Sequence, residues 1–341
     1  MATNRWIAPT ERSPDEADAL NALRPRRLSE YIGQAELRER LRISIDAARG
    51  RTEPIDHLLL HGPPGLGKTT LAHVIAAEMA ARLHTTSGPA LARPAELVGM
   101  LTTLEAGDVL FIDEIHRLPV AVEEFVYPAM EDGRIDIAVD AGPHGKTVTV
   151  ALQPFTLVGA TTRAGLLSAP LRSRFGINHT LTYYTEQDLA DIVARSARLL
   201  GLAAADDAIA TIAARSRGTP RIANRLLRRA RDYAQVKGDG TLTAPAVDQA
   251  LALEGVDTQG LDELDRRYLR VIKTTYKGGP VGLEAIAATM GEDAGTLEDV
   301  VEPFLLQLGL LARTRRGREL THDGRARARQ TPSLFNSETP A

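Results

Sequence analysis

The chain has 341 residues, 43% hydrophobic and 25% charged, with 41 Lys and Arg against 44 Asp and Glu for a net charge of −3. That length supports two or three compact domains, and the near-even balance excludes a chain that holds nucleic acid by bulk charge, so any such contact needs a local basic patch. Cysteine is absent, which removes disulfides, thiol nucleophiles and thiolate metal sites and fits a reducing cytoplasm.

Residues 1–20 read as a polar, flexible arm with no apolar signal core, and no run approaches the roughly 18–20 apolar residues of a membrane span. Residues 21–184 alternate short apolar runs with helical patterns, the rhythm of an α/β domain on a parallel sheet. "HLLLHG" (57–62), "DVLFID" (108–113) and "FTLVGATT" (155–162) read as buried strands. The spacing of Leu71, Val74, Ile75 and Met79 predicts a helix over 69–82. Period-two alternation on both sides of a Gly-Pro-His-Gly turn predicts a projecting β-hairpin over 134–152, with Ile135, Ile137 and Val139 on one face.

Helical spacing rich in Ala, Leu and Arg then marks a small domain over 185–255. Its helix "PRIANRLLRRARDYAQVK" is opened by Pro220 and closed by Gly238. "EGVDTQGLDELD" (254–265) reads as a linker. The last domain, 258–341, reads as helices followed by two short strands about a turn, a winged helix. Its apolar faces are Leu283, Ile286 and Ala287, then Val300, Val301, Phe304, Leu305 and Leu308. The basic patch lies here: residues 311–330 hold seven arginines against Glu319 and Asp323.

"GPPGLGKTT" places Gly62, Gly67, Lys68 and Thr69 in the G-x-x-x-x-G-K-[ST] pattern, after an apolar strand and at the start of a helix. Glycines let backbone N–H groups curl toward phosphate oxygens, Lys68 adds a point charge, and the Thr69 hydroxyl can ligate Mg²⁺. The strand over 108–113 ends in Asp113 beside Glu114, a carboxylate to hold magnesium next to one that polarises water, which favours hydrolysis over mere binding. Thr161 and Thr162 end another strand, where either hydroxyl could meet the γ-phosphate or the water.

The loop, "LFIDEIHRL", "GATTRAG", "LRSRFG" and "RGTPRIANRLLRR" stand in the order and spacing of AAA+ ATPases. With "LRPRRLSEYIGQ" and the winged domain, residues 23–320 resemble more narrowly the RuvB family of Holliday junction branch-migration motors. The resemblance implies an AAA+ domain, a helical lid and a winged-helix domain. It places Leu23 and Arg24 by the adenine, Gly65, Gly67, Lys68, Thr69 and Thr70 on the phosphates of ATP, and Tyr184 and the sensor Arg221 on the nucleotide. Arg174 matches an arginine finger given in trans within a homohexamer, with Arg172 in support, and Arg313 and Arg318 match a DNA-contacting pair. It further implies double-stranded DNA as substrate, RuvA docked on the hairpin, RuvC in the resolving complex, and work in recombination and repair. Threonine at 161–162, where many AAA+ proteins carry asparagine, narrows the assignment toward RuvB. Two other classes stand beside the motor: a clamp-loader-like ATPase acting as an assembly switch, which shares the pocket but does not need the basic winged domain, and a nucleotide-gated winged-helix regulator. Glu114→Gln separates the regulator, which should keep its function, from a motor, which should stall.

Overall fold

A computed structural model describes residues 21–138 and 147–328. The chain divides into two compact units, one of residues 21–192 with Thr219–Arg221, the other of Val193–Gly218 with the residues from Ile222 onward.

The first unit is built on five parallel strands in the order β2-β3-β6-β1-β7. These are β1 (Leu58–His61), β2 (Leu83–Ser87), β3 (Val109–Asp113), β6 (Thr156–Thr161) and β7 (Ile177–Thr180). β6 is buried along its whole length, and β1 and β3 are buried up to their last residues, His61 and Asp113. That explains why all three read as continuous apolar runs. β2 and β7 are the two edges, and their sequences "LHTTS" and "INHT" carry no such run; the sequence analysis missed both for that reason. Leu58 pairs with Val158 and Val109 with Thr156, so β6 sits between β1 and β3. The carboxyl ends of these three strands therefore share one edge, where open α/β sheets bind ligands.

The helix after β1 spans Lys68–Glu78 and buries Leu71, Val74 and Ile75 on the sheet. It is shorter than the 69–82 expected, because Ala80 takes a left-handed turn (φ +52°) that swings the chain into β2. β4 (Arg134–Ala138) and β5 (Thr147–Ala151) form the expected antiparallel hairpin. Its base belongs to the core: Ile135 is fully buried, and Ile137 and Val150 pack beside it. The Gly-Pro-His-Gly turn and Val139 lie outside the described residues, as does the amino-terminal arm.

In the second unit, the helix Asp206–Ala214 packs on Ala244–Leu253, and the helix Pro220–Lys237 buries Ile222, Leu226, Leu227, Ala230 and Ala234. The segment read as a linker is instead a packed junction. Val256 and Leu261 are buried, Asp257 is paired with Arg327, and a new helix starts at Glu263. Gly and Asp there serve turns and a helix cap rather than looseness. The carboxyl-terminal fold runs through helices Glu263–Thr274 and Leu283–Met290 and a helical stretch over 294–307. The wing follows as β8 (Leu311–Thr314) and β9 (Gly317–Leu320), and the helix His322–Arg327 closes the fold. Tyr268, Ile272, Ile286, Leu297, Val301 and Leu305 form its core. Leu308, expected in that core, is 39% exposed past the helix end; Leu310 takes its place. Among the described residues no helix is long and apolar enough to cross a membrane.

Candidate functional site

The loop between β1 and the helix Lys68–Glu78 is shaped by backbone angles that side chains resist. Gly62, Gly65 and Gly67 all have positive φ, and Gly67 caps the helix at φ +99°. A Cβ on Gly65 would lie 2.7 Å from Cγ2 of Thr219 and 3.4 Å from Cβ of Arg221. Thr219 and Arg221 thus lie directly against the phosphate loop, close enough that only glycine fits. Lys68 is 7% exposed, and its ammonium donates to the carbonyl oxygens of Gly62 (2.7 Å) and Pro63 (2.9 Å). Burial brings its pKa down to about 8; the carboxylates of Asp113 and Glu114 pull it up, and Arg221 pushes it down. These four charged groups therefore share one electrostatic neighbourhood. Thr69 and Thr70 follow on the first turn of the helix.

Glu114 sits at φ +48°, a costly conformation for a residue with a side chain, and its N–H donates to Oδ1 of Asp113 at 2.9 Å. Thr161 is fully buried at the end of β6; its hydroxyl is 2.9 Å from Nδ1 of His116 and accepts from the Arg163 N–H at 3.0 Å. Thr162 is different, because its hydroxyl donates to Oε2 of Glu114 at 3.4 Å. The two threonines thus separate into one that ties strand to loop and one that faces the Glu114 carboxylate. His116 also stands 3.4 Å from that same Oε2 and was missed by the sequence reading. Its position in "DEIHRL", two residues past Glu114, was the available signal.

Tyr184 is buried, 2.8 Å from the Tyr31 hydroxyl, and donates to the carbonyl of Leu66 at 3.1 Å. Burial above all raises its pKa to about 12. Its hydroxyl therefore braces the phosphate loop. Leu23 is buried and Arg24 half-buried. The charge of Arg24 is felt at His73, whose pKa falls chiefly through burial and then through that arginine, so Arg24 lies near the helix that follows the loop.

Arg174 has an acidic partner within its own unit that the local sequence hid. Nη2 donates to Glu131 at 3.0 Å, Nη1 donates to the Pro170 carbonyl at 2.7 Å, and the guanidinium lies 4.4 Å over the Tyr127 ring. Arg172 is exposed, and its charge contributes to the lowered pKa of His61, after burial and Lys68.

On the wing, Arg313 and Arg318 are paired across β8 and β9 and converge on one carboxylate. Glu302 is fully buried and accepts from Nε of Arg313 (2.6 Å), Nε of Arg318 (2.9 Å) and the hydroxyl of Tyr268 (2.6 Å). Arg318 also reaches Glu298 at 3.3 Å. Arg315 and Arg316, at the turn, are exposed and have no side-chain partner among the described residues. Glu302 was missed because a lone glutamate in an apolar helix face gives no motif; its burial only makes sense once two arginines fold over it.

A glycine loop against a parallel-sheet edge with paired Asp and Glu, a helical lid and a winged helix define a P-loop ATPase of the AAA+ class that carries a DNA-binding fold. Family models match the chain in three consecutive stretches: the Holliday junction DNA helicase RuvB P-loop domain over residues 23–181, the RuvB AAA lid domain over 184–257 and the RuvB C-terminal winged helix domain over 258–327. The structure of the Thermotoga maritima RuvB Holliday junction branch migration motor is 50% identical and superposes with a TM-score of 0.82, covering 91% of this chain and 100% of that one. Two mutant forms of Thermotoga maritima RuvB match similarly, at 50% identity and TM-score 0.83, and at 49% and 0.81; each match covers 91% of this chain and 99% of the other. The chain belongs to the RuvB family.

Proposed function

We propose that the chain is an ATP-driven motor that pulls double-stranded DNA and migrates Holliday junctions in recombination and repair, working in the cytoplasm as a homohexameric ring with RuvA and, in the resolving complex, RuvC. The observation that carries this reading is the succession of three RuvB domain matches between residues 23 and 327. The hydrolytic neighbourhood around Lys68 supports it independently.

In this reading the ATPase domain is 21–184, the lid 185–255 and the DNA-binding head 258–341. Backbone N–H groups of the loop and Lys68 bind the phosphates, with Thr70 beside them and Leu23 and Arg24 at the base. Tyr184 supports the loop from behind. Among the described residues no cluster of three His, Asp or Glu could hold a metal alone. The Thr69 hydroxyl and Asp113 carboxylate fit Mg²⁺, which takes one or two protein oxygens and draws the rest from phosphate and water. The ion supplies neutralisation of charge on the transferring phosphoryl group. Glu114 accepts the proton of the attacking water and Thr162 orients that water through its contact with Glu114. Arg221 reads the γ-phosphate from the lid side, and Arg174 exchanges Glu131 for the γ-phosphate of the next subunit. Arg313 and Arg318, set by Glu302, hold the DNA backbone, and hairpin 134–152 docks RuvA.

The test is strand separation on a labelled four-way junction, with ATP and with or without RuvA. Arms that separate with ATP and stall with Glu114→Gln support the motor. Arms that never separate, or separate equally well with Glu114→Gln, sink it.

A further inference from the structure

Arg217 opens the run "RGTPR" whose last member is Arg221, yet it takes no part in the nucleotide neighbourhood described above. Its side chain is 4% exposed, and its backbone sits at φ +54°, a conformation that costs a side-chain-bearing residue free energy. Nε donates to the Gly260 carbonyl at 2.9 Å, Nη2 bonds Asp265 and stands 3.6 Å from Asp262, and the guanidinium lies 4.5 Å over the Phe304 ring. Asp262 and Asp265 are themselves locked in a reciprocal capping box at the start of the helix Glu263–Thr274, each N–H donating to the other's carboxylate at 2.9 Å.

A buried charge of this kind is poor evidence for stability, since desolvation offsets most of the attraction. What it does supply is a fixed orientation, and arginine alone combines a planar fork for two carboxylates with a flat face for an aromatic ring. The elements it joins are a lid loop, the first helix of the winged-helix fold and Phe304. Phe304 stands two residues from Glu302, the carboxylate on which Arg313 and Arg318 converge. On the other side, Thr219 and Arg221 follow Arg217 by two and four residues and lie against Gly65 of the phosphate loop. The contacts of Arg217 thus reach, within one compact unit, a helix that also carries the carboxylate on which the basic wing is set.

We propose that Arg217 is a positioning residue that clamps the lid to the winged-helix domain, so that a nucleotide-dependent shift at Arg221 reaches the DNA grip instead of dissipating at the junction. The inference rests on the motor reading and deepens it.

The experiment uses the full chain with RuvA, a four-way junction and ATP, and measures junctions migrated per ATP hydrolysed. Arg217→Gln is expected to keep DNA-free hydrolysis within about twofold while migration per ATP falls by about tenfold, with Arg217→Lys in between. Unchanged migration per ATP overturns the proposal. So does a parallel fall in DNA-free hydrolysis, which would place Arg217 in the nucleotide site. If Arg217→Gln melts far below the wild type, Phe304→Leu and Asp262→Asn take its place and are judged by the same split. Should the wild type itself fail to migrate the junction, the motor reading has failed rather than the clamp.

Discussion

Lys68 carries its charge where water barely reaches it, and its pKa of about 8 makes nucleotide binding a proton-linked event. Phosphate attracts only the charged ammonium, so affinity is nearly complete at pH 7 and is lost as pH rises through 8. ATP should bind about tenfold more weakly at pH 9 than at pH 7, measured by calorimetric titration, if the neutral amine contributes nothing. Lys68→Met should bind weakly at both values, and an equal pH slope in that variant would assign the effect elsewhere. The adjacent threonines give a second contrast. Thr161→Val leaves His116 and the Arg163 N–H without their buried partner and should cost about 1–3 kcal/mol in urea unfolding. Thr162→Val should leave stability nearly unchanged and lose hydrolysis, and the reverse pattern would exchange their roles.

The wing divides its arginines by the company they keep. Arg313 and Arg318 are bonded to the buried Glu302, which fixes their direction, whereas Arg315 and Arg316 stand free at the turn. Contacts to phosphate release counterions, and each contact adds about 0.9 to the slope of log affinity against log salt. Removing both tip residues, as Arg315→Ala with Arg316→Ala, should flatten that slope by about 2 in fluorescence-anisotropy titrations, with the wing still folded. A slope that does not move would show that the tip points away from DNA. The hairpin makes a related point about elements. Its alternating pattern predicted strands correctly, but only packing shows that Ile135 belongs to the core while Val148 is 48% exposed.

At the scale of the whole molecule, Arg174 decides whether one chain suffices. Its guanidinium rests on Glu131, Pro170 and Tyr127 of its own chain, so it is held in place before any neighbour arrives. If it completes the site of the next subunit, Arg174→Ala should bind ATP and not hydrolyse it. Mixing Arg174→Ala with Lys68→Ala should then restore part of the turnover, because some interfaces combine an intact loop with an intact arginine. Failure of every mixing ratio in a phosphate-release assay would exclude a trans finger.

Local pattern was enough for the phosphate loop, the Asp113–Glu114 strand end, the central strands and the winged helix. Each is specified by neighbours in sequence: glycine for forced backbone angles, apolar runs for buried strands, helical spacing for one apolar face. The edge strands β2 and β7, the packed junction at 254–265, the separate duties of Thr161 and Thr162, and the partners of Arg174, Arg217 and Glu302 were decided only by the fold. Their hydrogen-bonding partners lie as far as 43 residues from Arg174, 48 from Arg217 and 34 from Glu302. A charge in a linear sequence is read by its neighbours along the chain. Its energy is set by whichever opposite charge and whatever burial the tertiary structure brings to it, and no local spacing encodes either.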